Sequence, residues 1–156
     1  MPSVYLETTI PSYLASRPSR DLIVAAHQQV THEWWTRAKG AFDIFVSEAV
    51  LGEIRAGDPA LAARRLELIQ DLPVLAARDD VDSLAEIYAD RLGLPSKAYA
   101  DLIHIAFAVS YSLDYLLTWN CKHIANGHVI RKLHAINSQI QRMTPVVVTP
   151  EELLPE

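Results

Sequence analysis

Between Tyr99 and Asn126 the chain reads YADLIHIAFAVSYSLDYLLTWNCKHIAN, a helical pattern that runs straight into a short buried strand. Ile103, Ala106, Phe107, Ser110 and Tyr111 recur at helical spacing, and Tyr115-Leu116-Leu117-Thr118 is an apolar run bounded by polar residues. In an open parallel sheet, ligands gather outside the carboxyl ends of the strands, which is where Thr118 and Asn120 fall.

The same alternation recurs along the chain. Val4-Tyr5-Leu6, Phe42 to Val46, Pro73-Val74-Leu75 and Val146-Val147-Val148 are further strand candidates. Helices are predicted from Pro11, and from a Ser19 cap to Gly40 with Leu22, Ala25, Ala26, Val30 and Trp34 on one face. Others run from the Ser47 cap to Gly57, from Asp58-Pro59 to about Asp71, from about Asp80 to Leu92, and from about His128 to Met143. A capped tail helix follows Thr149. Short strands alternating with helices predict an α/β fold with a mostly parallel sheet flanked by helices. The 156 residues are enough for one well-buried core and too few for two, so residues 1–156 read as a single domain.

The one cysteine, Cys121, excludes an internal disulfide and fits a reducing compartment. No secretory signal or spanning segment is read, so the expected location is cytoplasmic, with no membrane. A net charge of −5 argues against holding nucleic acid by bulk electrostatics. Distribution says more. Asp79, Asp80, Asp82, Glu86 and Asp90 crowd one helix, whereas no Asp or Glu occurs from Tyr115 to Pro150. In that second span Lys122, Arg131 and Lys132 are candidate contacts to a phosphate backbone, beside the blander reading of a solvated basic helix.

Four polar residues stand at strand and helix ends. Glu7 follows the first strand, Glu53 lies on the helix after the second, Asp101 begins the helix before the fourth, and Asn120 follows that fourth strand. Three carboxylates and an amide at one sheet edge would repel one another unless a cation sat among them. All-oxygen ligation suits Mg²⁺ or Mn²⁺ rather than Zn²⁺. Thr8 and Thr118 offer auxiliary hydroxyls. Glu48 is a rival to Glu53, but its place beside Ser47 suits capping electrostatics. His104 reads as a partly buried packing residue, His123 and His128 lack the partners of a zinc motif, and Cys121 lacks a base.

The segments YLETT, VSEAVLGEI and YADLIHIAFAVSYSLDYLLTWNCKHI together resemble the PIN domain, most closely the single-domain bacterial toxin ribonucleases of the VapC type. The resemblance spans nearly the whole chain, and its most specific part is the last segment. It implies a three-layer α/β/α sandwich and a Mg²⁺- or Mn²⁺-dependent endoribonuclease. The family's acidic positions fall on Glu7, Glu53 and Asp101, and the fourth on Asn120; these four are the expected catalytic and metal-binding residues. At the first position the family usually shows Asp, so Glu7→Asp is expected to keep or raise activity. RNA is the expected substrate. A separate small antitoxin is the implied partner, reaching an Arg or Lys into the acids and docking on a Trp34–Trp35 helix, and the chain is expected to form a homodimer. The rival reading is a catalytically silent PIN-like module that binds RNA or protein, and a third is a metal-dependent phosphatase or DNA nuclease.

Overall fold

A computed structural model describes all residues, 1–156. The strands are β1 (Ser3–Leu6), β2 (Asp43–Ser47), β3 (Val74–Leu75), β4 (Tyr115–Leu117) and β5 (Val146–Val148). The helices are α1 (Thr9–Ala15), α2 (Leu22–Ala38), α3 (Glu48–Arg55), α4 (Pro59–Ile69), α5 (Asp79–Arg91), α6 (Tyr99–Ser110) and α7 (Gly127–Gln139). All five strands pair in parallel, in the order β3-β2-β1-β4-β5. Parallel strands need long crossovers, which the helices supply on both faces. α1, α2 and α4 pack together, α5 packs on α6 and α7, and α3 touches both α4 and α6. This is the three-layer sandwich expected from the sequence.

β1 is the central strand, and its Val4, Tyr5 and Leu6 are fully buried. The chain leaves β1 toward β2 on one side, while β4 pairs on the other. The order therefore reverses between β1 and β4, and the loops after these strands diverge to leave a crevice. Glu7 N–H donates to Leu117 O at 3.1 Å, carrying the β1–β4 ladder one step into that crevice.

Several boundaries fall where local chemistry places them. Ser47 Oγ accepts from Val50 N–H and Asp58 accepts from Leu61 N–H, so the caps of α3 and α4 are those expected. The cap of α2 is Asp21 rather than Ser19, with Asp21 Oδ1 accepting from Ile23 and Val24 N–H at 3.0 Å. The buried face of α2 is Gln28, Thr31, Trp34 and Ala38, and Leu22 is 85% exposed. Two polar residues set that face. The Gln28 side chain donates to Arg17 O and accepts from Ser19 N–H, and Thr31 Oγ1 accepts from the Trp119 indole.

Trp34 is fully buried against Phe42, and only Trp35 is part-exposed, lining a 550 Å³ cleft with Leu14, Lys39 and Arg64. Paired exposed indoles therefore do not exist for a partner to dock on. α7 stops at Gln139 rather than Met143, because Gln141 takes a left-handed φ of 58° and Arg142 N–H turns back to Asn137 O. The tail from Thr149 is a single 3₁₀ turn, Pro150–Leu153, closed by a reciprocal Thr149–Glu152 capping box. No helix is long and apolar enough to cross a membrane.

Candidate active site

Glu7 leaves the end of β1 into the crevice and is almost fully buried. A buried carboxylate needs hydrogen-bond donors, and Glu7 has three. Thr118 Oγ1 donates to its Oε1 at 2.5 Å, Thr9 Oγ1 donates to the same oxygen at 2.6 Å, and Thr9 N–H donates to Oε2 at 3.1 Å. Thr118 Oγ1 in turn accepts from Asn120 N–H at 2.9 Å, and Thr9 Oγ1 accepts from Trp119 N–H at 2.9 Å. The loops after β1 and β4 are thus tied through one carboxylate.

Asn120 Oδ1 accepts from His123 N–H at 2.9 Å, and His123 Nδ1–H donates to Asp101 Oδ2 at 2.9 Å. Glu7, Thr118, Asn120, His123 and Asp101 form one continuous chain of hydrogen bonds. Glu53 reaches the crevice from α3 and pairs with Nε2 of His104, which also lies 3.5 Å from Thr8 Oγ1. The Glu53 side chain is 41% exposed, whereas His104 is wholly buried. Each outer carboxylate therefore has a histidine partner.

The Trp119 indole locks the β4 loop to α2. Its Nε1–H donates to Thr31 Oγ1 at 2.7 Å, and its ring stacks on His27 at 4.0 Å and on Tyr13 at 6.1 Å. Because both neighbours lie near-parallel to it, Trp119 serves to hold the loop that carries Thr118 and Asn120.

The sequence-predicted residues distribute unevenly. Glu7, Thr118, Asn120 and Asp101 are joined through partners, whereas Glu53 and Thr8 meet at His104 in a separate group. No two of the predicted acids touch, and no three His, Cys, Asp or Glu side chains converge in a ready-made metal cluster. The donor chemistry nonetheless fits a hard divalent cation, since Glu7, Glu53, Asp101 and Asn120 all present oxygen. Glu48 is engaged elsewhere, accepting from Ala77 N–H at 3.3 Å. Lys122 and Arg131 are exposed, but Lys132 Nζ donates to Leu92 O at 3.4 Å and closes the end of α5. Cys121 is exposed rather than buried; partial desolvation and then Glu152 push its thiol up.

His104 and His123 are the residues whose part the sequence reading did not anticipate. A signal for the first was present: it is the one ionisable residue in the run Leu102 to Val109, and a lone imidazole there must find partners. For His123 the signal was its place three residues after Asn120, within reach of an Asx turn.

No protein-family model matches the sequence, and no curated protein does. Among solved structures the chain is similar to a chain in the crystal structure of VapBC2 from Rickettsia felis bound to a DNA fragment from their promoter. Identity is 14%, the TM-score is 0.58, and the match covers 94% of this chain and 97% of that one. At that identity the likeness speaks to architecture, and with the parallel β3-β2-β1-β4-β5 sheet it gives this chain a PIN-like α/β/α fold.

Proposed function

We propose that the chain is a metal-dependent endoribonuclease that hydrolyses RNA phosphodiester bonds, acting in the cytoplasm as the toxin of a toxin–antitoxin pair. The observation that carries this reading is the hydrogen-bonded chain from Glu7 through Thr118, Asn120 and His123 to Asp101, set in the crevice where the strand order reverses. The fold shared with VapBC2 supports the toxin and antitoxin part.

Glu7, Asp101, Asn120 and Glu53 would hold Mg²⁺ or Mn²⁺. A divalent cation held there would make water more acidic near neutral pH and would offset charge on the phosphodiester. The protein's own work is placement. Thr118 and Thr9 fix the Glu7 carboxylate, which as a buried acceptor with three donors does not swing. His123 orients Asp101, and its backbone N–H orients the Asn120 amide. Lys122 and Arg131 lie on the acid-free segment that follows Asn120 and offer positive charge to the RNA backbone.

A second reading, a silent PIN-like module that binds RNA or protein, is favoured by the pairing of both Glu53 and Asp101 with histidines. Titrating Mn²⁺ into the purified chain separates the two, alongside a cleavage panel of structured RNA, single-stranded RNA and DNA. Asp101→Asn keeps an oxygen for His123 and loses the ligand charge, so it is expected to fold normally and to abolish RNA cleavage. A folded Asn variant that still cuts RNA would overturn the assignment.

A further inference from the structure

α6 buries one ionisable side chain in an otherwise apolar stretch, and the structure partners both of its ring nitrogens. Nδ1 of His104 lies 2.6 Å from the Tyr5 hydroxyl, and Nε2 meets the Glu53 carboxylate. The Tyr5 hydroxyl lies 2.7 Å from Ser47 Oγ, which also accepts from Val50 N–H as the cap of α3. Tyr5, Ser47 and His104 are all buried, so leaving any donor or acceptor among them without a partner would be costly.

Counting protons fixes the direction of the chain. A carboxylate only accepts, so Nε2 must carry the hydrogen that faces Glu53. Nδ1 is then an acceptor, filled by the Tyr5 O–H, and the Tyr5 oxygen accepts from Ser47. The alternative, a doubly protonated ring, turns Tyr5 toward Ser47 and leaves the Ser47 hydrogen without a partner.

The members of this chain adjoin the candidate acids. β1 carries Tyr5, and Glu7 follows two residues on, one past the strand's end. Ser47 caps the helix that carries Glu53. α6 carries His104 one turn after Asp101.

Resting on the nuclease reading above, we propose that His104 is a positioning residue: Tyr5 and Ser47 fix its ring by filling Nδ1, and its Nε2–H aims Glu53 at the crevice and ties α3 to α6. An exposed Glu on a helix otherwise samples many rotamers. Partners of this kind behind a ligand are typically worth about ten- to a hundred-fold in metal affinity or activity.

The test uses the full chain without metal, labelled with ¹⁵N in histidine and ¹³C in the glutamate carboxylates. Wild type is expected to show His104 as the Nε2–H tautomer. Tyr5→Phe keeps the ring and removes the donor to Nδ1, so it is expected to shift the Nδ1 resonance and, by freeing the ring to move, the Glu53 carboxylate signal. In cleavage assays with Mn²⁺, Tyr5→Phe should lower kcat about tenfold or more with KM for RNA nearly unchanged. His104→Gln, whose amide can still donate to Glu53, should retain more Mn²⁺ affinity than His104→Leu. An unchanged Glu53 signal in Tyr5→Phe, or equal affinity in the two His104 variants, would overturn the proposal. If wild type neither binds Mn²⁺ nor cuts RNA, the nuclease reading fails, and the metal-free spectra still decide whether His104 positions Glu53.

Discussion

The extra methylene of Glu7 is used. It lets one carboxylate oxygen reach both Thr118 on the β4 side and Thr9 on the β1 side, at 2.5 and 2.6 Å. Glu7→Asp draws that oxygen back by about 1.5 Å, one C–C bond, beyond hydrogen-bond range of at least one hydroxyl. The geometry therefore reverses the expectation from the family's usual Asp: the variant should be less stable by about 1–3 kcal/mol and cleave less RNA, measured by urea denaturation beside a cleavage assay. An Asp variant as stable as wild type and more active would show that the shorter acid fits. Thr118→Val keeps the shape, removes the donor to Glu7 and the acceptor for Asn120 N–H, and should cost about 1–3 kcal/mol by the same denaturation. At this scale the sequence exposed Glu7, Asp101 and Asn120, because acids and amides at element ends stand out against apolar runs. It hid the use of His104 and His123, since which oxygen faces an imidazole depends on elements far away in the chain.

Asp79, Asp80, Asp82, Glu86 and Asp90 crowd α5 and most of them are exposed, but its first turn is stitched to two other elements. Asp80 accepts from Ser110 Oγ at 2.6 Å, at the end of α6, and from Arg142 Nη1 at 2.7 Å, beyond α7. Arg78 lies 3.7 Å over the Tyr111 ring and donates to Ser110 O. The Ser110 hydroxyl, and after it Arg142, hold the Asp80 carboxyl below its ordinary value. A carboxyl with a lowered folded-state pKa stabilises the fold above its unfolded value, near pH 4, and that contribution is lost as pH falls through the folded value. Asp80→Asn should lower the urea midpoint at pH 7 and lose less further stability than wild type between pH 4 and pH 2. Parallel curves for the two proteins would refute the assignment. Helices and strands were legible here from caps and periodicity, as with Asp58-Pro59. The face of α2 was not, because Gln28 and Thr31 face inward for their hydrogen bonds while Leu22 points out.

The single core draws on both sides of the sheet, and β1 runs through its middle. Leu6→Ala should cost about 2–5 kcal/mol, and tryptophan fluorescence and far-ultraviolet dichroism should report the same shifted midpoint. Separated midpoints would mean that the two halves of the sheet unfold independently. The α/β class was readable from alternation alone, but the strand order was not, since β1 pairs with a strand from the last third of the chain and no local pattern records that choice. That pairing also has a consequence in time. A ribosome adding about 5–20 residues per second needs on the order of ten seconds to travel from Glu7 to Asn120. Through that interval the nascent chain has the strands of one flank and neither Thr118 nor Asn120, so the carboxylate of Glu7 waits without its partner. Synthesis that aborts before Thr118 releases a fragment without the site, and whatever chemistry the site performs begins only after Asn120 has been added.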